Sequence, residues 1–79
     1  MLAAAMTRLP TLNARKILQA LEKVGFLFHR QTGSHYILRH PLTHQTTGVP
    51  RHGKDVKRSL MKEILQQAGL TEEEFRRLL

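Results

Sequence analysis

Gly33 stands between two short segments of strand character, and a chain with that arrangement has few ways to fold. On one side Phe26-Leu27-Phe28-His29-Arg30 carries aromatic residues at i and i+2. On the other, about 34–40 runs from Ser34 through Tyr36 and Leu38 to His40. Gln31-Thr32-Gly33 reads as the hairpin turn, with glycine available for a positive φ. Pro41 ends the second segment because it has no N–H to donate to a ladder. A loop over 41–45 follows, then a third short strand over 46–50, where Gly48 and Pro50 suit an edge or bulged position.

Helical spacing flanks this β region. Ala14, Ile17, Leu18, Leu21 and Val24 form one stripe, predicting a helix over 13–24 capped by Thr11 or Asn13 and stopped at Gly25. Val56, Leu60, Ile64, Leu65 and Ala68 predict a second helix over about 56–68, with Gly69 as its stop. Thr71-Glu72-Glu73-Glu74 is a capping box opening a last short helix through Leu79, whose apolar side is Phe75, Leu78 and Leu79. The order α-β-β-β-α-α points to an α+β fold, a three-stranded antiparallel sheet with helices on one face.

At 79 residues with no cysteine, such a chain has neither disulfides nor a Cys-based zinc site to supplement one small core. The absence of cysteine fits a reducing, cytoplasmic setting. No apolar run approaches the roughly 20 residues that span a bilayer. The apolar start, Met1 to Ala5, lacks the basic flank of a signal peptide. Residues 1–8 are expected to be a disordered extension, with Met6 an alternative start, and residues 9–79 a single domain.

Thirteen Lys and Arg against six Asp and Glu give a formal net charge of +7. A small domain this basic meets a polyanion, nucleic acid first, although a merely solvated basic surface has the same composition. The charge is concentrated: between His29 and Arg58 there are six Lys or Arg against one acid, Asp55, and all five histidines lie there.

Among those histidines, His35 is the candidate for proton transfer. Imidazole has an ordinary pKa of about 6.5, and a residue just after a glycine turn is fixed yet accessible. A lone strand histidine is more often a surface residue, so spacing alone does not decide it. Facing is also open. Either Tyr36 and Leu38 join Phe26 and Phe28 in the core and His35 and Ile37 point outward, which buries more large side chains, or Ile37 is the core residue. His40 and His44 flank a proline loop without the convergent ligands zinc needs, so no metal or other cofactor is expected. Ser34 as a nucleophile would need an orienting acid and an oxyanion hole, and only Asp55 is a candidate; a turn hydrogen bond suits it better. Arg51, Lys54, Lys57 and Arg58 gather about the entry to the second helix, where cations and a helix N-terminus can hold phosphate. In-line attack by a ribose 2′-OH needs a base and cations for the developing phosphorane charge, both of which this set offers without metal.

The succession Leu9-Pro10, Gly25-Phe26, Gly33-Ser34-His35, Val49-Pro50-Arg51-His52 with Lys54, Ile64-Leu65-Gln66-Gln67-Ala68-Gly69 and Glu73-Glu74-Phe75 resembles the HicA toxins, small mRNA interferases of HicAB toxin–antitoxin systems. The resemblance spans about 70 residues and is specific as a set. It implies a double-stranded-RNA-binding-domain-like αβββα sandwich with a short extra C-terminal helix. It also implies that His35 is catalytic in a metal-independent endoribonuclease, and that a HicB-like antitoxin covers the site. Ser34, Arg51, His52, Lys54, Lys57 and Arg58 become expected RNA contacts, with mRNA as substrate and the free toxin expected to be a monomer. A non-catalytic RNA-binding module is the alternative. The chain departs from the pattern at Arg58-Ser59, where many relatives have Gly-Thr. Ser59 can still cap a helix, so its start lies open between 56 and 59.

Overall fold

In the computed structural model, which describes residues 9–51 and 55–79, the first helix begins where its cap dictates. Asn13 adopts an extended conformation and its Oδ1 accepts the Lys16 N–H at 3.0 Å, so α1 spans Ala14–Lys23. Ala14, Ile17, Ala20 and Leu21 form its buried stripe. At Gly25 φ is +102°, and a Cβ there would lie 2.6 Å from His40 Nε2, so both backbone and space require glycine.

Strands β1 (Leu27–Thr32), β2 (His35–Arg39) and β3 (Thr46–Pro50) form one antiparallel sheet in the order β1-β2-β3. The hairpin is tighter than expected. Thr32 pairs with His35, so the turn is Gly33-Ser34 rather than Gln31-Thr32-Gly33, and the first strand runs two residues longer than its apolar start suggested. A register shift between Phe28 and Arg30 leaves His29 as an extra residue, a β-bulge. β3 is an edge strand as expected, and Pro50 closes it opposite His35.

The second helix, α2 (Arg58–Ala68), starts at neither 56 nor 59. Lys57 is its N-cap, without a side-chain cap bond. The backbone N–H of Val56 donates instead to Leu12 O at 2.8 Å, and Arg58 Nε donates to Leu9 O at 2.7 Å, so the residues before α2 are stitched to the lead-in. Gly69 ends α2 in the left-handed region. The last helix, α3 (Glu72–Arg76), has the full capping box expected, although it stops at Arg76 rather than reaching Leu79.

Both long helices pack against β3. Leu38, Thr47 and Val49 are buried on that side with Phe26, Ile17, Leu21, Met61, Ile64, Leu65 and Phe75. Met61, absent from the predicted stripe, takes a core place while Leu60 is only partly buried. Thr47, a buried polar residue, donates its hydroxyl to Gln67 Oε1 at 2.9 Å. Pairing puts Tyr36 and Leu38 on the helix side, opposite Val49 and Thr47, and His35 and Ile37 on the open side, opposite Pro50 and Gly48. Phe28, however, is 57% exposed, and its neighbour Leu27 58%. Among the described residues no helix packs broadly on β1, whose residues are exposed on both faces as far as Gln31. The molecule is therefore the expected α+β, αβββα arrangement with a short extra helix, resembling a double-stranded-RNA-binding domain. Among the described residues no helix is long and apolar enough to cross a membrane.

Candidate functional site

His35 opens β2 between two fixed neighbours, Thr32 across the hairpin and Pro50 across the sheet. Its half-buried imidazole lies on the open face, and its Nδ1 is 3.2 Å from Ser34 Oγ. A serine hydroxyl can accept from Nδ1–H or donate to bare Nδ1, so it supports both forms of the neutral ring. Nε2 has no protein partner among the described residues. The floor beside the ring is Gly48: a Cβ there would stand 3.7 Å from His35 Cδ2 and 3.3 Å from Ile37 Cδ1.

Arg51 is held to the same turn from the third strand. Its backbone N–H donates to Ser34 O at 2.8 Å, and its Nη1 donates to Gly33 O at 2.9 Å. Its guanidinium carbon lies 5.8 Å from the Tyr36 ring centroid, which puts it on the helix side of the sheet, across the hairpin from the imidazole. The structure thus brings Ser34, His35 and Arg51 to one hairpin end, with the cation and the imidazole on opposite faces. Lys57 and Arg58 belong to the start of α2; Lys57 is exposed, and Arg58 spends its Nε on Leu9. His52 and Lys54 lie outside the described residues, as does the 1–8 extension.

The remaining histidines do other work. His40 donates Nε2–H to Val24 O at 3.0 Å, accepts at Nδ1 from the Leu42 and Thr43 N–H groups, and meets Phe26 edge-on at 5.2 Å. It ties the end of α1 to the loop after β2. His44 takes a left-handed φ of 65° and its Nδ1 accepts from Arg39 Nη2 at 2.9 Å. His29 sits in the β1 bulge, exposed. Among the described residues no three His, Cys, Asp or Glu side chains gather as metal ligands would.

Two features of this hairpin were hidden in the sequence. Gly48 reads there only as the mark of an edge or bulged strand, and the Ile37 pairing alone reveals it as the floor beside His35. Phe28 reads as core, and the bulge keeps it on the helix side opposite Leu38, but the helices pack against β3 and leave it exposed.

The family model of the HicA toxin of bacterial toxin–antitoxin systems matches residues 14–70, from the first residue of α1 to just beyond the glycine that ends α2. No curated protein matches the chain. The matched segment covers well over half of the molecule and contains the whole sheet, the Gly33-Ser34-His35 turn and Arg51. On that match the chain belongs to the HicA toxin family of toxin–antitoxin systems.

Proposed function

We propose that the protein is the toxin of a type II pair and cuts mRNA in the cytoplasm as a metal-independent endoribonuclease, with His35 as general acid–base. A HicB-like antitoxin holds it inactive. The observation that carries this reading is the state of His35: half-buried on the sheet face away from the helices, supported at Nδ1 by Ser34, and without a partner at Nε2 among the described residues of a +7 chain. In the step proposed, Nε2 takes the proton of a ribose 2′-OH as its oxygen attacks the adjacent phosphorus. The P–O5′ bond breaks, the 5′-oxygen leaves with a proton taken from water, the imidazolium returns its own proton to solvent, and a 2′,3′-cyclic phosphate remains. The attacking group comes from the RNA itself, so the chemistry requires no metal-bound water. Arg51, Lys54, Lys57 and Arg58 supply cations for phosphate, and Ser34 and His52 are further contacts with the RNA. Residues 9–79 form the working domain, a monomer when free of antitoxin.

The test is cleavage of an RNA oligonucleotide in EDTA. Wild type is expected to yield 2′,3′-cyclic phosphate ends, and His35→Ala to lose about 10²- to 10⁴-fold in rate while still binding the RNA. RNA left intact by the folded wild-type protein would sink the enzyme reading and favour a non-catalytic RNA-binding module on the same surface.

A further inference from the structure

Phe28 is a large aromatic side chain that the core does not use. It is 57% exposed on the helix side of the uncovered β1 strand. Its ring meets Tyr36 edge-on, with centroids 6.3 Å apart at 65°. Tyr36 is half-buried, and the Arg51 guanidinium lies 5.8 Å from its centroid, anchored on the Gly33 carbonyl. The three side chains therefore form a strip, Phe28 to Tyr36 to Arg51, that leads along the hairpin to the turn carrying Ser34 and His35.

We propose that this strip is a stacking platform for unpaired RNA bases next to the cleavage point. The proposal rests on the RNA-cleaving reading above and names the part of that site which selects single-stranded substrate. Exposed aromatic faces and arginine planes are the surfaces on which splayed bases stack, and paired bases inside a duplex cannot reach them. Arg51 adds a cation for phosphate where the strip meets the turn. RNA rounding Gly33-Ser34 would place its scissile phosphate by His35 on the open face and the neighbouring bases on Tyr36 and Phe28. A protein partner would also cover an exposed Phe, but the cation over the aromatic ring and the net charge of +7 favour a base bound beside its phosphate.

The experiment uses the full chain carrying His35→Ala, so that RNA is bound without being cut. Affinities are measured by fluorescence anisotropy for a short single-stranded RNA and for the same sequence as a duplex. Phe28→Ala and Tyr36→Ala are each expected to weaken single-strand binding about 5- to 150-fold and duplex binding far less. Tyr36→Phe keeps the ring and is expected to bind like its parent. Phe28 lies outside the core, so its variant tests the strip without threatening the fold. The strip is refuted if Phe28→Ala keeps single-strand affinity within about twofold, or if duplex and single-strand binding fall together. It is also refuted if Phe28→Ala leaves RNA binding alone but abolishes neutralisation by the co-expressed antitoxin, which would make the surface a protein contact. Wild-type protein that neither binds nor cuts RNA would overturn the functional reading as well. Protein that cuts RNA normally with Phe28→Ala in place overturns the strip alone.

Discussion

A side chain at position 48 would occupy the space into which His35 and Ile37 lean. The Cβ of alanine would sit 3.3 Å from Ile37 Cδ1, the mobile end of a flexible side chain, and 3.7 Å from the imidazole, an ordinary contact. Gly48→Ala should therefore change stability by less than about 1 kcal/mol and leave cleavage nearly intact. The branched side chain of Gly48→Val has to displace Ile37 and the imidazole. It is expected to fold, by circular dichroism, and to lose about tenfold or more in RNA cleavage, since small misplacements of a reacting group are costly. Equal rates for Gly48→Val and wild type would show that the ring is not held against this floor. His35 could be picked out as the candidate among five histidines from a glycine turn, a basic neighbourhood and, decisively, the resemblance of Gly33-Ser34-His35 to the HicA toxins. Its support could not, because Ser34 and Gly48 act through a rotamer and a strand register that composition and spacing do not encode. His40 illustrates the converse: its place beside a proline loop gave no hint that both ring nitrogens are engaged by backbone.

At the scale of elements, the boundaries set by local chemistry were legible and those set by tertiary contacts were not. Asn13, Gly25 and Gly69 mark helix ends through groups adjacent in the chain, and each is found where expected. The start of α2 depends on Leu9 and Leu12, more than forty residues away, whose carbonyls accept from Arg58 and Val56. The exposure of Phe28 likewise follows from a distant cause: the helices pack on the opposite edge strand, so its place on the helix side opposite Leu38 goes uncovered. The most local device, the α3 capping box, is present in full: Thr71 Oγ1 accepts the Glu74 N–H at 3.0 Å and Glu74 accepts the Thr71 N–H at 2.8 Å. That backbone bond, with a smaller contribution from the Thr71 side chain, holds the Glu74 carboxyl below the usual carboxylate range. A carboxyl depressed by folding contributes stability that is present above its unfolded-state pKa and is lost as pH falls through the folded value. Glu74→Gln keeps an acceptor but cannot titrate. Thermal melts from about pH 6 to about pH 3 should thus show wild type losing slightly more Tm than Glu74→Gln. Parallel curves would mean that the box persists with its carboxyl protonated.

For the whole molecule, the distribution of charge decides how RNA would be held on the proposed reading. The six Lys and Arg between His29 and Arg58 face one acid there, whereas the last seventeen residues carry four glutamates. The proposed RNA contacts therefore belong to the sheet end and the start of α2, and the α3 end is expected to stay outside them. If Arg51, Lys54, Lys57 and Arg58 each neutralise one phosphate, the logarithm of the single-strand association constant should fall with the logarithm of salt with a slope of about −3, at roughly −0.7 per contact. Lys57→Gln, made in the non-cleaving His35→Ala chain, should flatten that slope by about 0.7 and weaken binding to all sequences alike. Arg58→Gln should flatten it similarly and also lower Tm, because its Nε bond to Leu9 O is lost with the charge. Arg76→Gln lies in α3 and should leave the slope unchanged. Measuring the three slopes side by side separates a defined phosphate track from a diffuse basic surface. On a track only the two residues before and within the first turn of α2 matter, whereas a diffuse surface responds equally to all three losses of charge.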